Sequence, residues 1–416
     1  MLLARTLPLI LLAMVCGSAC YTLIAIYAAR RFRRNSSPGA NGFTPPISVV
    51  KPLCGLDREL EANLESFFRQ DYPSYEIVFA VRDETDAAVP FVRGLQEKYP
   101  TVPTRLLFVG SSRYLNAKVH AMEEILCVAR HDFLVISDSD VRVSKDYLRS
   151  VVAPLADTGV GMVTCLSRGV PANTVWSLLE ALGINTQFLA GVLSAWLLIG
   201  MEFSLGPTMV IRKRQMEEIG GVGVLGDYLA DDFVLGELVA RAGYRVVLSE
   251  MVPDHLFGGE SMEDSLNHRL RWERSSRCSR PAGYLGQVFM HTVPLVIAAW
   301  AALRFLNPLG SPALHWFALS LFALSIGARA LLAWEVGWRI MRDANVKKYW
   351  WLLPVQDLLS FAIWLWAFFG NEIVWRGVAF RVLKGGKLQR IEATVPDRTP
   401  VGASSGAASD PISSPK

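Results

Sequence analysis

The sequence predicts an α/β fold in which helices cover both sides of a mostly parallel sheet, with membrane segments before and after it. Between about residues 45 and 281, short β-branched apolar runs alternate with segments of helical periodicity. This alternation is typical of βαβ units, whose parallel strands are buried on both faces. The hydrophobic fraction of 51% is high for a soluble protein, and the excess lies near the N-terminus and near residues 285–375.

The first predicted element is a transmembrane helix. Leu7–Ala29 is uncharged and long enough to cross about 30 Å of hydrocarbon. The run Arg30–Arg34 follows, and basic residues prefer the cytoplasmic side, so the domain that follows faces inward. A cleaved signal peptide is the alternative, but the apolar run is too long and its basic flank lies on the C-terminal side. Residues 1–36 are therefore interpreted as a membrane anchor.

Residues 37–282 are predicted to form the globular domain. Its strands are buried apolar runs and its helices have a 3.6-residue period. The predicted strands are Ile47–Leu53, Glu76–Val81, Thr104–Val109 and Phe133–Ile136. The predicted helices are Glu59–Gln70, Ala88–Tyr99 and Lys118–Ala129. Ligands of such sheets bind at the carboxyl ends of the strands, where polar residues follow these runs.

Residues 283–376 contain three further apolar blocks, and residues 377–416 form a basic and then disordered tail. The blocks are Gly286–Leu306, Pro312–Trp334 and Tyr349–Phe369. Basic residues follow both the second and the third block, and both groups favour the cytoplasm. Three crossings cannot satisfy both, so we expect one block to be re-entrant or interfacial. The last one, interrupted by Pro354, Gln356 and Asp357, is the best candidate, although the sequence leaves the count open.

Two further segments and the bulk composition limit the interpretation. Trp176–Gly206 is apolar but interrupted by polar residues, which favours an amphipathic helix on the membrane surface. The tail from about Pro396 is rich in Ser, Pro, Gly and Ala, which predicts disorder.

A net charge of only +4 does not suggest a nucleic-acid partner. The six cysteines are scattered, without metal-ligand spacing, which favours a reducing cytoplasm.

Asp138-Ser139-Asp140 directly follows the predicted strand Phe133–Ile136. Two carboxylates at the end of a buried strand are unfavourable unless a cation compensates their charge. Mg²⁺ typically takes one or two protein carboxylates together with phosphate oxygens, and Mn²⁺ suits the same ligands. A solvated turn is the alternative. The position after a buried strand favours the cation site.

Two later segments also carry chemistry. Asp231-Asp232 opens a predicted helix, where acidic side chains either stabilise the helix dipole or take a proton from an acceptor hydroxyl. His268–Trp272 belongs to a basic run that continues through Arg274, Arg277 and Arg280. That run indicates either a helix on the membrane surface or a diphosphate clamp, because guanidinium groups match phosphate oxygens.

Taken together, these motifs resemble the ceramide glucosyltransferase family, over roughly residues 1–380. These are nucleotide-sugar transferases of the GT-A fold, and bacterial hopanoid-associated lipid glycosyltransferases are close relatives. The matching residues are Lys51-Pro52-Leu53-Cys54-Gly55, Asp83, Asp138-Ser139-Asp140, Asp231-Asp232 and His268–Trp272. The set is specific, although no single motif would be.

The resemblance implies roles for these residues. Asp83 matches the aspartate that contacts the uracil ring of the donor. Asp138 and Asp140 match the metal-binding D-x-D pair, in which Asp140 would be the direct metal ligand. Asp232 matches the catalytic base, flanked by Asp231. The donor-binding set would comprise Lys51, Pro52, Gly55, Asn116, Lys118, Asp138, Arg271 and Trp272, together with His268, which departs from the family's usual Gln or Arg.

The resemblance implies an inverting transfer of a hexose from a UDP-sugar to a membrane-lipid hydroxyl, assisted by Mn²⁺ or Mg²⁺. UDP-glucose and ceramide are the expected pair, and a hopanoid N-acetylglucosaminyltransferase is the alternative. We expect an integral protein of the bacterial inner membrane with a cytoplasmic catalytic domain, its oligomeric state open. A processive polysaccharide synthase would need a channel, for which the apolar segments are too few. A non-catalytic membrane scaffold is the rival from a different class.

Overall fold

The computed structural model describes residues 2–34, 42–258, 261–306 and 311–391. The strands are β1 (Ile47–Pro52), β2 (Tyr75–Val81), β3 (Thr104–Phe108), β4 (Phe133–Ile136), β5 (Val141–Arg142), β6 (Val160–Cys165), β7 (Arg168–Val170), β8 (Met209–Arg212), β9 (Arg245–Ser249), β10 (Asp254–Leu256), β11 (Glu372–Trp375), β12 (Val378–Val382) and β13 (Leu388–Arg390). The helices are α1 (Leu2–Arg34), α2 (Leu60–Phe68), α3 (Val89–Lys98), α4 (Ala117–Val128), α5 (Tyr147–Val152), α6 (Val175–Gly183), α7 (Leu189–Ile199), α8 (Lys213–Glu218), α9 (Asp231–Arg241), α10 (Met262–Ser279), α11 (Pro281–Gly286), α12 (Thr292–Leu306), α13 (Pro312–Ala333), α14 (Ala344–Lys348) and α15 (Leu353–Trp366).

The central sheet has seven strands in the order β3-β2-β1-β4-β8-β6-β9. The pairs β3–β2, β2–β1, β1–β4 and β6–β9 are parallel, while β8 runs antiparallel to both of its neighbours. The predicted mostly parallel α/β sheet is therefore confirmed. One detail was wrong: β3 was expected to be buried on both faces, but it is an edge strand and its residues stay partly exposed.

The neighbouring strands β1 and β4 position the polar residues that follow them. Both are buried almost throughout, and Val50 of β1 is in register with Ile136 of β4. The Ser137 amide continues this ladder by donating to the Val50 carbonyl at 3.2 Å. Because the two strands are parallel, Lys51 and Asp138 emerge side by side at one edge of the sheet.

A second, three-stranded sheet of order β5-β10-β7 lies beside that edge. β10 pairs antiparallel with β5, and His255 is in register with Val141. The Leu256 amide also donates to the Asp140 carbonyl at 2.9 Å. This pairing places His255 directly beside the end of the Asp138–Asp140 segment.

Three helical stretches are long and apolar enough to cross a membrane by length and composition: Thr6–Arg34, Val175–Ile199 and Pro312–Ile340. A fourth stretch is bent by 68° between Pro281–Met290 and Thr292–Phe305, as in a broken span or a re-entrant loop. The predicted N-terminal transmembrane helix is thus supported. The bend in the fourth stretch falls in the first of the three apolar blocks, whereas the sequence favoured the last block as the re-entrant or interfacial one. α15, in the last block, has 14 residues, about 21 Å of helix, which is shorter than about 30 Å of hydrocarbon. The number of crossings stays a prediction.

The continuous stretch Val175–Ile199 differs from the amphipathic surface helix expected there. Its most apolar window is 61% buried inside the protein. The polar residues that suggested a water-facing side make internal contacts instead. Glu180 accepts from Ser265 at 2.8 Å, and the Asn185 amide bonds both backbone polar groups of Gly169. The polar positions therefore mark packing against the rest of the protein rather than a solvated face.

α13 continues without a break through Trp334–Ile340, and we call the whole helix Pro312–Ile340 the α13 stretch. α1 packs against α7, α12 and α13, and its C-terminal end lies beside the end of the α13 stretch. Arg30 pairs there with Glu335 at 2.9 Å. α15 is tied to the same bundle by a buried ion pair between Arg329 and Asp357 at 2.7 Å, and Arg329 also donates to Thr186. Buried charges among apolar helices face the bundle interior, so this pair holds α15 against its neighbours.

β11, β12 and β13 form an antiparallel sheet. The sequence analysis had placed β11 at the end of the membrane segments and the other two strands in the basic tail. Ile373, Phe380, Val382 and Leu388 pack together with Leu229 and Cys278. The strands are short and alternate with exposed basic residues, which hides their pattern in the sequence. The predicted disorder from residue 396 concerns a stretch outside the described residues.

Candidate active site

Five of the expected site residues form one contact network at the carboxyl edge of β1 and β4. At its centre, Nζ of Lys118 lies 2.7 Å from Oδ1 of Asp138 and 3.3 Å from Oδ2 of Asp231. Burial disfavours the charged amine, but Asp138, Asp231 and Asp232 outweigh it and raise the pKa of Lys118. The lysine therefore stays a cation that links two acidic segments distant in sequence.

Asn116 fixes this arrangement from the start of α4. Its side-chain oxygen accepts from the Lys118 amide at 3.0 Å, which caps the helix. Its Nδ2 donates to the Tyr228 carbonyl at 2.9 Å and to Oδ1 of Asp231 at 3.3 Å. One amide thus orients both the lysine and the second acidic segment.

Lys51 approaches the same network from the end of β1. Its fully buried ammonium donates to the Asp138 carbonyl at 2.6 Å and to the Ser137 hydroxyl at 3.3 Å. The amine also lies 3.7 Å from the centre of the Phe67 ring. Burial lowers the pKa of Lys51 to about 7, against the attraction of Asp138.

Asp140 is paired with a histidine that the sequence analysis did not select. Nε2 of His255 lies 3.1 Å from Oδ2 of Asp140. Burial opposes both charges, but their mutual attraction raises the pKa of His255 and lowers that of Asp140. Oδ1 of Asp140 is buried and has no hydrogen-bond partner within the described residues. One carboxylate oxygen is therefore left for a further ligand.

Asp232 differs from Asp231 because no lysine or arginine pairs with it within the described residues. Its Oδ1 accepts from the Phe233 amide at 2.8 Å, and its backbone carbonyl accepts from the Ser204 hydroxyl. Burial, reinforced by Asp231, raises its pKa to about 6. A carboxylate with this pKa can take up a proton near neutral pH.

Gly206 brings Asp138 and Asp232 to the same point. A Cβ at this glycine would lie 3.1 Å from Oδ2 of Asp232 and 3.2 Å from Oδ2 of Asp138. The backbone therefore runs directly past both carboxylates, and a larger side chain would push them aside. The first and second acidic motifs consequently border one site.

Asp83, Pro52 and Gly55 lie outside this network. Asp83 follows β2, is half exposed, and accepts hydrogen bonds from the amide and hydroxyl of Thr85. Pro52 ends β1. Gly55 has a φ of +70°, a conformation that suits glycine, and its amide donates to the Asp86 carboxylate at 3.1 Å. These residues shape the loops that follow β1 and β2.

The residues of the His268–Trp272 motif lie on two different faces of α10. His268 and Trp272 lie on one face, with their rings 4.8 Å apart, and Phe188 is 6.2 Å from Trp272. Nδ1 of His268 is 2.7 Å from a carboxylate oxygen of Glu180, which is itself buried. This face of α10 therefore meets the helix that begins at Val175.

The other face of α10 meets the C-terminal sheet. The guanidinium of Arg271 is 6.0 Å from the Trp375 ring centre. Arg274 donates to backbone carbonyls of Phe369 and Glu372, and Arg277 donates to that of Gly370. Arg274 and Arg277 thus hold the turn before β11, so the diphosphate-clamp interpretation does not extend to these two arginines.

Within the described residues, no group of three or more His, Cys, Asp or Glu side chains is placed to hold a metal ion alone. Mg²⁺ commonly takes only one or two protein carboxylates and completes its shell with phosphates and water. Asp138 and Asp140 fit that mode of binding, since Oδ1 of Asp140 has no hydrogen-bond partner in the described part of the chain. The donor set therefore suits a cation that arrives with a phosphorylated ligand.

Sequence reasoning missed His255, Glu180, Asp57 and Gly206. The Ser139 hydroxyl bonds Asp57, so this aspartate holds the middle of the acidic motif. Glu180 had a usable signal, because a single acid in an apolar stretch needs a buried partner. His255 and Gly206 had none, since only the strand pairing and the chain path bring them to the site.

The sequence model described as Glycosyl transferase family 21 matches residues 9–388. Ceramide glucosyltransferase 1 of Caenorhabditis elegans is 25% identical over 346 residues, which cover 83% of this chain and 73% of that protein. Ceramide glucosyltransferase 3 of the same organism is 28% identical over 262 residues, covering 61% and 56% respectively.

A solved structure shows the fold. It is the mannosyltransferase PcManGT from Pyrobaculum calidifontis, in complex with GDP-Man and Mn²⁺. Its TM-score is 0.55 at 20% sequence identity, and the alignment covers 86% of this chain and 99% of that one. The sheet described above is thus of the GT-A type.

Proposed function

Because this chain belongs to glycosyl transferase family 21, we propose that it transfers one hexose from a UDP-sugar to the hydroxyl of a membrane lipid. UDP-glucose is the proposed donor and ceramide the proposed acceptor, as the names of its two Caenorhabditis elegans relatives suggest. A hopanoid polyol that receives N-acetylglucosamine is the alternative acceptor. The family membership makes the chain a glycosyltransferase, and the proposal concerns its substrates and its site.

The observation that carries the proposal is the different environment of the two adjacent carboxylates. Asp231 is engaged by Lys118 and Asn116, whereas Asp232 has no cationic partner within the described residues and has a pKa raised to about 6. A general base must be able to accept a proton, which a carboxylate held by a lysine does poorly. We therefore assign the base to Asp232 and the orienting role to Asp231.

The proposed reaction is a single inverting displacement. Asp232 takes the proton of the lipid hydroxyl, the oxygen forms a bond to C1 of the sugar, and the bond from C1 to the UDP oxygen breaks. The electron pair of that bond leaves with UDP, so no separate acid is required if cations stabilise the diphosphate. Lys118 supplies one such positive charge at the site.

Asp140, with Asp138, is proposed to bind Mn²⁺ or Mg²⁺ together with the donor. When bound, the cation would supply Lewis-acid stabilisation of the leaving diphosphate. Oδ1 of Asp140, buried and without a partner in the ranges that the structure describes, supports this assignment. His255 would hold Asp140 in its ionised form, because their charges attract.

The residues proposed to line the donor side end or follow β1, follow β2, or belong to the network around Asp138. They are Lys51, Pro52, Gly55, Asp83, Asn116 and Lys118. His268 and Trp272, with Arg271, are proposed to lie between the donor diphosphate and the acceptor. Glu180 takes the Nδ1 side of His268, which leaves Nε2 to point away from the carboxylate. Glu180 would thus orient His268, which occupies the position where the family usually has Gln or Arg.

Changing Glu180 to glutamine tests this orientation. Loss of the charged hydrogen bond should lower kcat/KM for the donor by about tenfold, mainly through KM. When His268 is already replaced by glutamine, E180Q should lower kcat/KM less, because Glu180 no longer has a histidine to orient. Steady-state kinetics of the four proteins gives the answer. Independent, additive losses would contradict the proposed coupling.

The pH profile tests the assignment of the base. Asp232 works deprotonated, so kcat/KM should fall as the pH drops through about 6, the raised pKa of this carboxyl. In D231N the neighbouring negative charge is gone, so the inflection should move to lower pH. Rates measured across the acid range would show both effects, and an inflection that D231N leaves unchanged would contradict the assignment.

The membrane arrangement supports a lipid acceptor and a cytoplasmic site. α1 and the α13 stretch end side by side, and both are followed by basic residues, which favour the cytoplasm. We therefore propose that the GT-A domain faces the cytoplasm, in a bacterial inner membrane. A lipid hydroxyl would then enter from the bilayer while the soluble donor enters from the cytoplasm.

Mass spectrometry of lipids from cells with and without the gene tests the acceptor. The proposal predicts that hexosylceramide disappears with the gene. Loss of an N-acetylglucosaminyl hopanoid instead would establish the alternative acceptor. Loss of a polymer would indicate a processive synthase, and no lipid change together with no UDP-sugar binding would indicate a scaffold.

A further inference from the structure

Four arginines from two separate helical stretches line one concavity of about 360 Å³: Arg30, Arg33, Arg34 and Arg339. The first three end α1, and Arg339 lies in the last turn of the α13 stretch. The mechanism proposed above uses none of them. The size lies within the range of small-ligand sites in proteins.

The charges in this arginine pocket do not balance. Glu335 is almost fully buried beneath it and pairs with Arg30 at 2.9 Å, Arg339 at 3.3 Å and Arg33 at 3.5 Å. One carboxylate thus forms ion pairs with three of the four guanidinium groups that line the pocket. The four arginines and Glu335 together carry a net charge of +3. The carboxylate also fixes the arginines in position, so that an anion meets them preorganised.

The pocket lies at the level where lipid headgroups are expected. It sits at the shared end of two stretches that are apolar enough to cross a membrane, Thr6–Arg34 and Pro312–Ile340. Two tryptophans, Trp196 and Trp338, lie at that end, as is usual at the membrane–water boundary. Arg31 lies over Trp196, and Trp338 directly precedes Arg339 of the pocket.

We propose that the arginine pocket binds the phosphate headgroup of an anionic membrane lipid, separately from the acceptor in the active site. Guanidinium forks match phosphate oxygens in geometry and charge, and basic pockets between membrane helices are typical sites for such headgroups. The bound headgroup bridges α1 and the end of the α13 stretch. It therefore stabilises the packing of the N-terminal anchor against the C-terminal helices.

The test uses the full chain in micelles that contain equal amounts of phosphatidylglycerol and phosphatidylcholine. Native mass spectrometry then counts which lipid each protein retains. The wild type should retain one phosphatidylglycerol in preference. R34Q/R339Q should lose that preference by roughly 100-fold, because each charge-assisted hydrogen bond lost to the phosphate contributes about tenfold.

K347Q/K348Q is the matched control. It removes the same charge from two exposed lysines of α14, just after the α13 stretch, which do not line the pocket. This variant should keep the preference for phosphatidylglycerol. Equal losses in both double variants would mean diffuse attraction and would overturn the proposal.

A second arm separates lipid from free phosphate. With phosphatidylglycerol present, the thermal unfolding midpoint of the wild type should rise, whereas R34Q/R339Q, folded by circular dichroism, should not respond. Inorganic phosphate at the same concentration in phosphatidylcholine micelles should give no rise. An equal rise with inorganic phosphate would overturn the assignment to a lipid.

Discussion

Replacing Asp232 with asparagine should reduce turnover by about two to four orders of magnitude, the usual contribution of a general base. The amide keeps the shape of the side chain but cannot take the proton of the acceptor hydroxyl. Donor binding should stay nearly unchanged, because Asp138 and Lys118 contact each other independently of Asp232. Single-turnover rates and calorimetric binding of UDP-glucose measure the two effects separately.

D231N is the informative comparison for D232N. Asp231 pairs with Lys118 and Asn116, so its loss should disturb donor binding as well as turnover. Asp71 is the surface control, since its side chain is 81% exposed, and D71N should behave as the wild type. Near-normal turnover of D232N, or a larger loss of donor affinity in D232N than in D231N, would contradict the assignment of the base.

Replacing Asp140 with asparagine should abolish the effect of Mn²⁺ on donor binding and lower turnover by at least about a hundredfold. A metal that stabilises the leaving group contributes several kcal/mol, and each 1.36 kcal/mol is about a factor of ten in rate. The reason lies in Oδ1 of Asp140, which is buried and has no hydrogen-bond partner among the residues that the structure describes, while Oδ2 faces His255. Titration of UDP with and without Mn²⁺ measures the change.

Chelation provides the independent arm of that experiment. EDTA should stop the wild-type enzyme, and added Mn²⁺ or Mg²⁺ should restore it. H255Q should retain metal-dependent activity at a reduced level, because His255 only supports the charge of Asp140. Turnover that persists in EDTA, or D140N with an intact Mn²⁺ response, would remove Asp140 from the proposed role.

The sequence was most informative where local pattern and fold agree. The strands before Lys51 and Asp138 are continuous buried runs, so their existence and their parallel pairing follow from hydrophobic pattern alone. The helix after Asp231 was also predicted, because acidic residues and helical periodicity coincide there. The carboxyl edge of the sheet could thus be named in advance as the candidate site.

What the sequence did not predict depends on contacts between distant segments. His255 reaches Asp140 through the pairing of two very short strands, which carry almost no pattern of their own. Glu180 looked like an interruption of an apolar stretch until its contact with His268 was known. The C-terminal sheet was missed for a related reason, because its strands are only three to five residues long and their apolar residues become a core only against Leu229 and Cys278.

The most direct test of the proposed reaction at the Asp138–Asp232 site uses the purified full chain in nanodiscs that contain ceramide. The protein receives isotopically labelled UDP-α-glucose and Mn²⁺, and the lipid product is analysed by mass spectrometry and NMR. The proposal predicts one hexose per ceramide with a β linkage, one UDP released per lipid, and no product with D232N. An α-linked product, a polymer, or hydrolysis of the donor without lipid transfer would contradict it.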